Sequence, residues 1–318
     1  MHIKQVHLLG GLFLTVPTLA ALKIAAALNV IEYAPLLVTN QDYFNNTATI
    51  INGGVASIVS DTSVDLAANA ETQALRQYRN NPSLRVIWNV AQVPYRIVAN
   101  KKSKISTLSD LKGKKIGTIQ GTSAGYFIEH YLLTAANLKP SDYKIISGSD
   151  CRASPCGSNT FPSMLSKGTI DAIGFWEPTI EVAIQTLGEQ NVVVFQNRTA
   201  YREIYNLHST AEKLRDPKKR KEIVQFLRQL IKAQKIFDED PTKVYSRVSK
   251  AVNVGVPLLQ KVWPVHDWKG GIPGDLLDVL EEEDKYVAKV DNRAAASRDK
   301  LKNLIDPTVL EEALKEGF

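Results

Sequence analysis

From residue 22 onward the chain alternates short apolar runs of strand length with amphipathic stretches of helix length. That alternation restricts the fold severely. A parallel strand pair needs a long crossover connection, and a helix that supplies it must bury its apolar face on the sheet. Strand patterns fall at 22–28, 48–51, 64–67 and 84–90, and again at 115–119, 143–146, 170–175 and 192–196. Helical patterns lie between them, at 34–44, 71–79, 161–166 and 178–187 among others. In the helix that opens at Gly121, residues Ala124, Phe127, Ile128, Tyr131, Leu132 and Ala135 recur on one face. Beyond residue 200 the pattern is mostly helical. It includes a stretch capped by Asp216 with Pro217 at its first position, whose apolar face carries Ile223, Phe226, Leu227, Leu230, Ile231 and Phe237.

At 318 residues the chain is about twice the size of a common domain. The segment 95–100, followed by the charged turn 101–104, reads as a crossing from one unit into a second, and 195–201 as the return. The expected organisation is α/β and two-lobed: a discontinuous first lobe of 22–98 plus 200–318, and a second lobe of 99–199, each a mostly parallel sheet flanked by helices, with a helical C-terminal extension. Apolar residues at 44% and charged residues at 23% are ordinary for a globular protein and exclude a disordered or fibrous one. The net charge of +6 is spread along the chain, so no nucleic-acid footprint is indicated. The densest basic cluster, Lys218-Lys219-Arg220-Lys221, reads as the solvated start of a helix.

A weakly basic start at Met1-His2-Ile3-Lys4, an apolar stretch over 8–16 and small residues around Ala20 have the order of a cleaved export signal, 1–20. The expected location is therefore secreted or periplasmic. Cys151 and Cys156, the only cysteines, suit a disulfide in such a compartment, and Asn45 and Asn197 each head an Asn-x-Thr glycosylation triplet. The five histidines are scattered, so no metal site and no cofactor is expected.

Ligands of open α/β sheets bind beyond the carboxyl ends of strands. Five loops hold such a position: 29–34 with Tyr33, 52–56 with Gly53 and Gly54, 68–72 with Asn69 and Glu71, 120–125 with Thr122, Ser123 and Ala124, and 175–178 with Trp176 and Glu177. Gly121-Thr122-Ser123 reads either as an anion cradle at a helix N-terminus or as a simple cap. Trp176 is either a wall for a ligand or a core residue. Glu71 and Glu177 are either ligand contacts or helix-start acids. No catalytic motif assembles, so a non-enzymatic chain is expected.

Two motifs then carry a resemblance. Leu108-Ser109-Asp110-Leu111-Lys112-Gly113-Lys114-Lys115-Ile116-Gly117-Thr118 followed by Gly121-Thr122-Ser123, and Met164-Leu165-Ser166-Lys167-Gly168-Thr169-Ile170-Asp171-Ala172 followed by Trp176-Glu177-Pro178, resemble the SsuA/THI5-like (NMT1-type) substrate-binding proteins. The resemblance implies a periplasmic-binding-protein type II fold. It also implies a monomer that closes by a hinge around a small, anionic organic molecule (a sulfonate, taurine-like or heterocyclic), with an ABC permease as partner for a bacterial source. It leaves two alternatives: an enzyme related to the thiamine-pyrimidine synthases, or an orphan secreted binding protein without a transporter.

Overall fold

The computed structural model describes residues 22–315, so the expected export signal lies outside the described residues. Among the described residues, ten strands form two five-stranded sheets. In the first sheet β1 (Lys23–Ala26) pairs in parallel with β2 (Thr49–Asn52) on one side and β3 (Leu66–Ala70) on the other. The order is completed by β4 (Leu84–Val93) and β10 (Glu203–Thr210), with β10 lying antiparallel between β3 and β4. The second sheet repeats the plan. Here β6 (Lys115–Gly117) pairs in parallel with β7 (Lys144–Ile146) and β8 (Ala172–Phe175), while β5 (Arg96–Asn100) runs antiparallel between β8 and β9 (Val192–Phe195). Both sheets are thus mixed and flanked by helices.

The change of sheet takes place at Pro94-Tyr95, between β4 and β5. Proline has no N–H for a ladder, so the first sheet ends there. The boundary expected at 98/99 falls inside β5, and the charged turn 101–104 follows that strand as a short helical turn of the second sheet's own lobe.

Strand β10 has no counterpart in the sequence reading, which takes the chain after 200 as mostly helical and places no strand there. Its residues alternate poorly because buried polar groups interrupt the apolar ones. His208 Nδ1 meets the Ala67 carbonyl oxygen at 3.1 Å, and Ser209 Oγ donates to the Asp65 carbonyl at 3.0 Å. The strand is buried along nearly its whole length, and its register against β4 shifts twice. A strand covered on both faces shows no two-residue period.

The helix Pro217–Glu239 forms as its period predicts. Asp216 caps it, accepting from the backbone N–H groups of Lys218 and Lys219, and Ile223, Phe226, Leu227, Leu230 and Phe237 face the core. This helix backs the first sheet together with Trp88, Trp263 and Trp268. A second body of core runs from the other face of the first sheet to the aromatic residues of the second lobe, Phe127, Phe161 and Phe175. The helix Leu276–Val290 contributes Leu280 and Val287 to that shared core. The two lobes therefore meet around a common apolar spine, and their strand ends face one another.

Candidate functional site

A cavity of about 260 Å³ lies where those strand ends meet. The first lobe supplies Asn29, Val30 and Glu32 after β1, and Asn69, Thr72 and Gln73 at the end of β3. The second lobe supplies Thr122 and Ser123 after β6, and Trp176 after β8. Tyr95 from the sheet crossing and Glu203 and Tyr205 from β10 complete the wall. Four of the five loops singled out by the sequence reach this cavity. The loop at 52–56 does not.

Thr122 proves to be both a cap and a wall. Its Oγ1 donates to the Ile119 carbonyl at 2.7 Å and accepts from the Gly125 N–H at 3.4 Å, fixing the start of the helix Ser123–Ala136. The N–H groups of the first helical turn have no acceptor within the helix. Ser123 ties the lobes together: its Oγ lies 2.9 Å from Thr72 Oγ1 and donates to Glu71 Oε1 at 3.2 Å. Trp176 is half-buried, lies on the Phe175 ring with centroids 3.6 Å apart, and turns a face to the cavity.

The remaining expected site residues sit outside the lining. Glu71 is fully buried behind it, accepting from Tyr201 Oη at 2.8 Å and from the Ile204 N–H at 2.9 Å; burial outweighs these bonds and raises its pKa. Glu177 is drawn away by Arg96, whose Nε donates to it at 2.9 Å, and it accepts the Glu181 N–H at 3.2 Å. Burial raises the Glu177 pKa even against the guanidinium. Tyr33 and Ala124 are core residues. Gly53 and Gly54 are packing glycines rather than a cradle. A Cβ on Gly54 would stand 2.2 Å from Asn69 Nδ2, and one on Gly53 would stand 2.3 Å from Ser57 Oγ. Cys151 and Cys156 form the expected disulfide, and Asn45 and Asn197 are exposed.

Sequence reasoning misses the acidic side of the cavity. Glu32 is 1% exposed; its Oε2 has no hydrogen-bond partner, and its Oε1 lies 3.7 Å from His266 Nε2. Glu203 is 5% exposed, and its Oε2 accepts the Tyr95 hydroxyl at 2.6 Å. Burial, reinforced by the Glu32 and Glu71 carboxyls, pushes Glu203 well above the usual carboxylate range. Burial likewise raises the phenols of Tyr95 and Tyr205. None of the residues lining the cavity is Lys or Arg. The missed signal for Glu32 was its place in the 29–34 loop; Glu203 and Tyr205 were hidden with their strand.

Comparison with known proteins places this arrangement. The family model described as "NMT1/THI5 like" matches residues 51–244. No curated protein matches the chain by sequence. Among solved structures, the periplasmic aliphatic sulphonate binding protein SsuA from Escherichia coli superposes with a TM-score of 0.70 at 14% identity, over 90% of this chain and 97% of that one. The alkanesulfonate-binding protein SsuA from Xanthomonas axonopodis pv. citri, bound to MOPS, gives 0.66 at 14% identity over 90% and 98%. The desulfurization enzyme DszB gives 0.62 at 14% identity over 93% and 100%. At such identities the likeness is one of fold, and the fold is the one both binding proteins share.

Proposed function

The chain belongs to the NMT1/THI5-like family, and from that premise we propose that it is an exported solute-binding protein that captures a small organic molecule between two hinged lobes. The observation that carries this reading is the shared lining. Asn69 and Thr72 from one lobe and Thr122, Ser123 and Trp176 from the other face the same 260 Å³ cavity. Closure then builds the site. The bonds between Ser123 and Thr72, between Ser123 and Glu71, and from Gln73 Nε2 to the Gly121 carbonyl at 3.4 Å all cross between the lobes. A ligand that adds contacts only when the lobes are together shifts the open–closed equilibrium by its differential affinity.

In this reading each lobe is one sheet with its flanking helices, the first boundary lying at 94–95 rather than at 98/99, and the hinge is where the chain passes between the sheets, at 94–95 and 196–202. An anionic group of the ligand sits at the start of the helix Ser123–Ala136, where unpaired N–H groups and the helix dipole favour negative charge. Trp176 supplies a flat apolar wall. Export is supported by the signal-like N-terminus and the disulfide, and a membrane permease would be the receiving partner in a bacterial source.

The likeness to DszB supports a second reading, an enzyme on the same fold. Against it stands the lining: the Thr72 and Ser123 hydroxyls are engaged with one another, the Tyr95 hydroxyl with Glu203, and both cysteines are held in the disulfide. Thermal-shift screening of the mature protein against sulfonates, phosphonates and pyrimidines separates the two. A binding protein is stabilised by a hit, by about 2.7 kcal/mol at a hundredfold excess over Kd, and returns it unchanged. The shift should be lost in Trp176→Ala and in Thr122→Ala. Steady conversion of the hit to product would favour the enzyme instead.

A further inference from the structure

We infer that the ligand presents a protonated nitrogen to the carboxyls of Glu32 and Glu203, so that this cavity selects small amines or amidines over their uncharged counterparts. The inference rests on the proposed binding role of the cavity and names what it recognises. Two buried carboxyls face one cavity with no Lys or Arg in its lining, and Glu32 Oε2 has no partner at all. A buried acceptor left unpaired is costly, and a buried charge more so, unless something arrives to satisfy it. A carboxylate accepts only, so the arriving group must donate.

The surroundings supply no alternative donor of sufficient reach. Tyr95 Oη already donates to Glu203 Oε2, and Tyr205 Oη donates to the Ala68 carbonyl at 3.2 Å. His266 Nδ1 lies 3.0 Å from the Val262 carbonyl, which leaves Nε2 facing Glu32 at 3.7 Å, outside hydrogen-bond range. Glu71 stands behind and adds negative charge of its own. The three rings at the cavity, Tyr95, Tyr205 and Trp176, complement a cation further, since aromatic faces attract one. The helix start at Thr122 lines the same cavity from the other lobe. A ligand that uses both ends would carry an anion at one and a nitrogen at the other.

The test uses probe pairs that differ only at the nitrogen: taurine against isethionate, β-alanine against 3-hydroxypropionate, and 2-aminoethylphosphonate against 2-hydroxyethylphosphonate. Calorimetry on the mature protein should find at least one amine bound about tenfold or more tighter than its hydroxyl partner. The preference should vanish in Glu32→Gln/Glu203→Gln, and fall in Glu203→Gln alone, with both variants folded and no less heat-stable than the parent. The affinity of the amine should also rise from about pH 5 to about pH 8, because burial holds Glu203 protonated well above the usual carboxylate range and the cation displaces that proton. Equal binding within every pair, or affinity that falls as pH rises, overturns the inference while leaving the binding role intact. Absence of binding by every probe counts against both.

Discussion

At the scale of single residues, position in the sequence motif and position in the cavity come apart. Trp176 and Glu177 are neighbours in the chain, yet one faces the cavity and the other is locked to Arg96. They should therefore answer mutation differently. Trp176→Ala should weaken ligand binding about tenfold or more with the unfolding midpoint in urea little changed. Glu177→Ala removes one of the two carboxylates that hold a largely buried guanidinium, leaving Glu181 at 3.2 Å, and should cost about 1.5–3 kcal/mol of stability by the same urea titration. A binding defect in Glu177→Ala without loss of stability would place that carboxyl in the site after all. Gly54 acts through Asn69, so Gly54→Ala should reduce affinity about as much as Asn69→Ala does, measured by calorimetry. What was legible here was residue type beside a helix start: Thr122, Ser123 and Trp176. Glu32 was not, because a buried unpaired acid is something sequence patterns teach one not to expect.

At the scale of elements, β10 is the piece the sequence concealed and the site most needs. It carries Glu203 and Tyr205 to the cavity, accepts no helix-period or strand-period description, and is held by pairing on both sides. The β–α alternation, the helix caps and the Ser123–Ala136 helix were legible, since each depends on local periodicity and capping chemistry. A central strand with a polar sequence depends on partners far away in the chain. The burial of His208 within β10 has a measurable consequence. Burial pushes its pKa down to about 4, from the ordinary histidine value near 6.5. Between those values the unfolded chain binds the proton and the folded one does not, so stability is full above the unfolded pKa and falls as pH drops toward the folded one. Unfolding by urea at about pH 7 and about pH 5 should show that loss in the parent protein and a shallower one in His208→Gln. An identical slope in the two proteins would mean that other groups dominate.

At the scale of the whole molecule, the two lobes share one fold plan and one cavity, and the chain passes between them twice. The two-lobed α/β architecture was legible from chain length and alternation, and the family from two motifs near the second lobe's strand ends. The sheet boundary at Pro94-Tyr95 was not, because β5 reads as a continuation of β4 until its partners are known. Function on this account is a change in the distance between lobes. The most direct test is that distance, measured between spin labels on exposed positions of each lobe, Asn80→Cys and Lys167→Cys, with and without the tightest-binding probe of the amine panel. The account predicts a distribution that shortens and narrows when the probe is bound, and that fails to respond in Trp176→Ala. A distribution unchanged by a saturating, calorimetrically verified ligand would contradict closure as the means of capture.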